Sequence, residues 1–288
     1  MAFKLITDSC CDLPLSYYAQ NNVIMMPLSF IIDGNVYKDT DESQMTPHQF
    51  YDKLRAGSIS STSQINTLEF EEVFEPILAG GDDLIYLAFS GKLSGTCKNA
   101  EAAAENCLLK YPGRKARVID TKSASMGQGL LLHHVLRQMK KGLDMDEVVA
   151  WAEENRGTVC HWFTVDDLAF LRRGGRLSGA AAFFGTMLSI KPVLHVDDEG
   201  RLIPMEKVQG RKRSLKALLD HMEQTAVDIK GQTIFISHGD CLGEAEELAD
   251  GARRRFGVKD ILINPIGAVI GSHTGANVMA LFFIGNKR

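Results

Sequence analysis

The sequence predicts an α/β protein with largely parallel sheets, because short apolar runs of strand length alternate with helical stretches through most of its 288 residues. The strand-like runs are FKLIT (3–7), LIYLAF (84–89), ARVID (116–120), TVCHWFTV (158–165), TIFISH (233–238) and ILIN (261–264). Local start signals mark the helices between them. The pattern restarts after residues 155–157, where we expect a domain boundary.

Taken in order, Asp12 is positioned to cap LPLSYYAQ, with Pro14 in its first turn. Thr46 precedes Pro47, and Asn66 stands three residues before Glu69 ahead of FEEVFEPIL, a capping-box spacing. SASMGQGLLLHHVLRQMKKG (123–142) reads as a helix with basic residues in its last turns and Gly142 as its stop. The helix DEVVAWAEEN follows. Asp197-Asp198-Glu199-Gly200, between VLHV and RLIPMEKV, signals a hairpin and gives the second half an antiparallel element.

With 45% hydrophobic and 24% charged residues, the chain has an ordinary globular balance and enough apolar mass for a sizeable core. A net charge of -4 spread over mixed-sign segments leaves no basic face for nucleic acid, so small molecules and proteins remain as partners. The six cysteines form no CxxC pair and two of them are adjacent, which suits reduced thiols in a cytoplasmic protein. The N-terminus enters a strand pattern at once, without a signal-like apolar run. Residues 261–286 lack Asp, Glu, Lys and Arg over a bilayer-spanning length. Polar residues and Gly267, Gly271 and Gly275 interrupt them, so buried strand, loop and short helix are expected, with no stable membrane insertion.

Three loops that follow strands are rich in hydroxyls: Thr7-Asp8-Ser9, Ser90 to Thr96 (SGKLSGT), and Thr121-Lys122-Ser123. In a parallel sheet such loops converge on one edge, and the amides at the helix start after Gly95, with the Ser94 and Thr96 hydroxyls, suit an anion. SGKLSGT is not a P-loop, since Leu93 follows Gly91-Lys92 and no glycine stands five positions before Gly91. Gly127-Gln128-Gly129 lacks the third glycine of a dinucleotide fingerprint and reads as close helix packing.

Other clusters stay open on residue chemistry alone. Ser60 to Gln64 reads first as a capped surface turn, and Asp8, Asp12 and Asp120 as strand-end caps, with no metal-ligand spacing. LRRGGRLSG (171–179) displays Arg172, Arg173 and Arg176 on a turn that suits an anionic ligand, an acidic patch of a protein partner, or solvent. GRKRSLK (210–216) reads as a basic helix start on a solvated face. His273, set among Ser272, Thr274 and glycines, is the most suggestive histidine, but no catalytic partner is visible and G-x-S-x-G is absent.

Together, TDSCCDLP (7–14), STSQ (61–64), SGKLSGT (90–96), DTKSASMGQG (120–129), LRRGGRLS (171–178), KPVL (191–194) and IGSHTG (270–275) resemble the DegV family of bacterial fatty-acid-binding proteins. The resemblance implies a two-domain α/β protein. Residues 1–156, rejoined by the C-terminal segment near 275–288, would form an N-terminal domain with a largely parallel sheet, and residues 157–274 a second, mixed α/β domain. A long-chain fatty acid would lie between them.

By motif match, the resemblance makes Thr62, Ser63 and Ser94 the carboxylate contacts, with Gly95 and Thr96 at the helix start and His273 as a further head-group neighbour. No residue is catalytic, and no metal or cofactor is implied beyond the fatty acid. Some family members present that acid to a fatty acid kinase, which makes acyl phosphate for phospholipid synthesis; Arg172, Arg173 and Arg176 then become candidates for the kinase contact. AAAFFGTMLSI (180–190), AVI (268–270) and VMALFFI (278–284) are candidate tunnel walls. The sequence departs from the family where Ile65 follows STSQ in place of proline, and where Ala276-Asn277 follows HTG in place of Pro-Gly. The alternative reading is an enzyme acting on a phosphorylated or carboxylated metabolite, with His273 as acid/base or phosphoryl acceptor.

Overall fold

A computed structural model describes residues 3–179 and 190–288. The chain begins with β1 (Phe3–Asp8), a 3-10 turn at Ser9–Cys11, α1 (Leu15–Gln20), β2 (Val23–Met26), β3 (Ser29–Ile32) and β4 (Asn35–Lys38). It continues through α2 (Pro47–Arg55), β5 (Ser60–Ser63), α3 (Thr67–Ala79), β6 (Asp83–Ala88), α4 (Thr96–Lys110) and β7 (Ala116–Asp120). Next come α5 (Met126–Lys140), α6 (Met145–Asn155), β8 (Val159–Thr164), α7 (Ala169–Arg173), β9 (Ile190–Val196) and β10 (Leu202–Gln209). The last elements are α8 (Arg211–Thr225), β11 (Ile234–His238), α9 (Leu242–Phe256), β12 (Ile261–Pro265), α10 (Ala268–Thr274) and β13 (Met279–Ile284).

Three sheets result. One is parallel throughout, in the order β2-β1-β6-β7. A second, ordered β10-β9-β8-β13-β11-β12, is mixed, with only β11 and β12 parallel. The third is a small antiparallel sheet, β4-β3-β5, which leaves β5 at an edge. The α/β class is thus the one the alternating pattern predicts, but the largely parallel pairing expected with it holds only in the first sheet, and Gly200, at φ +88°, closes the expected hairpin between β9 and β10.

In the C-terminal segment, β13 lies between β8 and β11 and pairs with both. Its alternation explains the placement, since Met279, Leu281 and Phe283 join the core under α8 and α9 while Ala280 and Phe282 join the core on the other face. A strand needing apolar cover on both faces belongs inside a sheet covered on both sides. A 3-10 turn at Arg156–Thr158 precedes β8.

Helix α5 fills the space between the two larger sheets and is buried around most of its circumference. A Cβ on Gly127 would fall 2.0 Å from His161 Nε2, and one on Gly129 would fall 2.9 Å from Leu13 Cγ, so both glycines serve close packing. The helix starts at Met126, three residues later than the pattern suggests. Asn66 forms the predicted capping box with Glu69, and Thr46, the helix start expected before Pro47, forms one with Gln49. Asp12 does not cap α1, whose N-cap is Pro14. It sits at φ +51° after the 3-10 turn, and its carboxylate accepts from Ser125 Oγ (2.5 Å) and the Gly267 amide (2.9 Å).

Candidate ligand-binding site

Edge strand β5 and helix α10 are joined by two side-chain pairs. Ser60 Oγ lies 2.7 Å from Ser272 Oγ, and Thr62 Oγ1 lies 2.9 Å from His273 Nε2. Beside this junction is a cavity of about 260 Å³, whose polar wall includes Thr62, Ser63, Gln64, Ser94, Arg176 and His273. Four separate motifs therefore meet at one place. No Asp or Glu lines the cavity among the described residues, so its only formal charge comes from the guanidinium.

His273 is held in one state. Burial first, and then the nearby Arg176 and Arg173 cations, push its pKa down to about 4, so the ring is neutral at physiological pH. Its Nδ1 is buried with no partner, because the ring lies flush against Gly174, where a Cβ would come within 2.1 Å of that atom. A buried N–H without an acceptor is costly, so the proton belongs on Nε2, which donates to Thr62. The Thr62 hydroxyl hydrogen is then free to point into the cavity.

The SGKLSGT loop supplies the opposite wall. Ser90 anchors it, donating its hydroxyl to the Gly200 carbonyl (2.8 Å) while its own carbonyl accepts the Leu93 and Ser94 amides. Ser94 reaches the cavity and lies 2.8 Å from Thr96 Oγ1. Gly95 and Thr96 are not among the lining residues. Thr96 is fully buried behind Ser94, and its amide donates to Ser94 Oγ (3.2 Å), so that amide is already engaged. Gly95 makes room for Gln64, whose Oε1 lies 2.3 Å from where a Cβ would be.

The arginine turn is divided. Gly175, at φ +69°, ends α7 in a Schellman arrangement, with the Arg176 amide bonded to the Leu171 carbonyl and the Gly175 amide to the Arg172 carbonyl. This reversal turns Arg176 inward, where Nε donates to Leu93 O (2.9 Å) and Nη1 to Gly174 O (2.5 Å). Arg176 is thus a cavity residue and not the exposed partner contact expected of it. Arg172 and Arg173 remain on the surface, Arg173 over the Phe170 ring at 4.8 Å.

Away from the polar wall the cavity is apolar, with Leu28, Phe89, Leu93, Leu171 and Ile270. Ala124, Leu202, Ile270 and Thr274 also bound a smaller void of about 50 Å³, which Phe163, Val278, Ala280 and Phe282 close between the sheets. Of the expected tunnel walls, 268–270 and 278–284 each contribute, while 180–189 lie outside the described residues. Sequence reasoning missed Gln64 and the inward Arg176, although both stand in motifs it singled out.

Both departures near the site are accommodated. Ile65 is buried in the core, and Asn277 adopts φ +59°, which asparagine tolerates, while its amide donates to Asp166 (2.8 Å). Among the described residues the one three-ligand grouping that could hold a metal is His48, Asp52 and Asp240. It is largely exposed, and Arg55 already neutralises Asp240 at 2.5 Å. No described helix is long and apolar enough to cross a membrane.

A family model described as "Uncharacterised protein, DegV family" matches residues 2–286. The chain belongs to the DegV family. A DegV domain-containing protein of Clostridium perfringens is 46% identical over 286 residues, covering 99% of this chain and 98% of its own. Among solved structures, a DegV family protein of Thermus thermophilus, described by its fatty acid binding, superposes with a TM-score of 0.86 at 32% identity, covering 99% of this chain and 100% of that one. A fatty-acid-binding DegV family protein of Streptococcus agalactiae gives 0.87 at 30% identity, with full coverage of both chains.

Proposed function

We propose that this DegV protein binds one long-chain fatty acid in the cytoplasm, with its carboxylate at Thr62, Ser63 and Ser94 and its tail in the apolar space between the sheets, and presents the head group to a fatty acid kinase. The observation that carries the reading is the composition of the cavity: hydroxyls and a guanidinium on one side, no described carboxylate, and an apolar continuation on the other. Fatty-acid binding by the Thermus and Streptococcus relatives supports it.

The physical roles divide cleanly. Burying each methylene contributes about 0.8 kcal/mol, so the tail supplies on the order of 10 kcal/mol before association costs. The head group needs donors, which Thr62 and Ser94 offer as hydroxyls. His273 acts as a positioning residue that fixes the Thr62 proton, and Thr96 does the same for Ser94 from behind. Arg176 contributes favourable charge without a dedicated salt bridge. Ser63 and Gln64 are exposed at the head-group end, which leaves the carboxylate approachable by an enzyme, and the exposed Arg172 and Arg173 are candidates for its contact.

Organic extraction of the purified protein followed by mass spectrometry tests the binding. A fatty acid in about one-to-one ratio is expected, and its absence together with no uptake of labelled acyl chains would overturn the proposal. Presentation is tested with a fatty acid kinase and ATP. The acid carried by this protein should become acyl phosphate faster than free acid, and equal rates would count against presentation.

A further inference from the structure

The guanidinium of Arg288 ties the parallel sheet to the mixed one. Its Nε donates to the Val159 carbonyl (2.9 Å), Nη1 to the Lys122 and Asp197 carbonyls, and Nη2 to the Thr121 and Arg156 carbonyls and to Ser123 Oγ (2.8 Å). Thr121 to Ser123 follow β7 of the parallel sheet, Arg156 and Val159 lead into β8 of the mixed sheet, and Asp197 opens the β9–β10 hairpin. The Arg288 amide also bonds the Gly157 carbonyl (3.0 Å).

Five of these six acceptors are backbone carbonyls and the sixth is a hydroxyl, so fixed dipoles solvate the cation. Burial lowers its pKa to about 10, which leaves it charged at neutral pH. A planar fork of five N–H groups can serve several carbonyls at once, whereas the point charge of an ammonium cannot span all three segments. Withdrawing the fork leaves those carbonyls short of donors and frees the segments from one another.

Two bonds lead from this junction to the SGKLSGT loop. The Ser123 carbonyl accepts the Ser90 amide (3.0 Å), and the Gly200 carbonyl, across the hairpin turn from Asp197, accepts the Ser90 hydroxyl (2.8 Å). The hairpin presses against both loops, since a Cβ on Gly200 would stand 2.3 Å from Ser90 Oγ and 3.0 Å from Lys122 Cα. Ser90 in turn fixes Ser94, whose amide its carbonyl accepts (3.2 Å). Arg288 itself does not line the cavity, so any influence on a ligand there passes along this chain of contacts.

We propose that Arg288 is a positioning residue for the fatty-acid head group, holding Ser94 at the cavity through Ser123, Gly200 and Ser90. The inference rests on the carboxylate site proposed above.

A double-mutant cycle on the full-length protein tests it, read by displacement of a fluorescent fatty acid. Arg288→Met should weaken binding by about threefold to tenfold, no more than the loss of one hydrogen bond to a charged group. In the Ser94→Ala background the same change should cost less than about twofold, because no hydroxyl remains there to be positioned. Thr62 is held from α10 by His273, so in the Thr62→Val background Arg288→Met should keep its full effect. Arg288→Lys should bind like Arg288→Met. Should Arg288→Met fail to fold, Ser123→Ala, which removes one acceptor and keeps the guanidinium, takes its place in the cycle with the same expectations. An equal loss in all three backgrounds, no loss in any, or full affinity in Arg288→Lys would each overturn the proposal. Absence of fatty-acid binding by the wild-type protein overturns the head-group reading and this inference with it, whereas binding without the dependence on Ser94 overturns this inference alone.

Discussion

Thr62 Oγ1 lies 2.9 Å from His273 Nε2, joining edge strand β5 to α10 across 211 positions of sequence. This contact aims the Thr62 hydroxyl into the cavity opposite Ser94. Thr62→Val and Ser94→Ala should each lower fatty-acid affinity by about tenfold, the effect of one hydrogen bond to a charged group, while leaving the fold intact. Displacement of a fluorescent fatty acid measures both. Wild-type affinity in both variants would put the carboxylate elsewhere.

The neutrality of His273 has a stability signature. Its pKa is about 4 in the folded protein against an ordinary 6.5, through burial and then the Arg176 and Arg173 charges. Between those values the folded state binds fewer protons than the unfolded chain, so this residue's contribution is lost as pH falls from 6.5 towards 4 and is fully present above 6.5. The integrated difference is on the order of 3 kcal/mol. His273→Gln lacks this slope, so its stability deficit relative to wild type should shrink as pH falls through that window. Urea unfolding at a series of pH values reads the difference, and parallel curves would contradict the assigned neutral state.

How much of this was legible depended on how local the determinant was. Thr62, Ser94 and His273 stand in short motifs, so a sequence could name them, and the capping box at Asn66 follows from its three-residue spacing to Glu69. Arg176 could not be placed, because its direction is set by Gly175 taking a left-handed conformation that a run of charged residues does not announce. Likewise β13 carries apolar residues on both faces, a pattern that fits the middle of either large sheet; only its pairing with β8 and β11 decides between them.

Two glycines beside the site should respond differently to the same added methyl. At Gly174 the Cβ would fall 2.1 Å from His273 Nδ1, against a ring fixed by Thr62 and by its own burial. At Gly95 it would meet Gln64 Oε1 at 2.3 Å, the far end of an exposed and flexible side chain. Gly174→Ala should therefore displace the ring and weaken ligand binding about tenfold or more, on the 1–3 kcal/mol scale of overpacking, and Gly95→Ala should change it by less than about threefold. The displacement assay ranks them, and the reverse order would mean that Gln64, not His273, positions the ligand.

Arg176 separates charge from geometry. Its Nε and Nη1 are committed to the Leu93 and Gly174 carbonyls, an arrangement that a planar guanidinium satisfies while leaving further N–H groups for an anion. A lysine keeps the charge but cannot hold both carbonyls in that fork and still reach the cavity. Arg176→Gln and Arg176→Lys should therefore both weaken fatty-acid binding, with the lysine variant within about threefold of the glutamine variant. Affinities at low and high salt complete the comparison: wild-type affinity should decline modestly with added salt, because the guanidinium is partly buried, and Arg176→Gln should lose that dependence. Full rescue by lysine would show that Arg176 acts as a diffuse positive charge and that its bonds to Leu93 and Gly174 are incidental to the site.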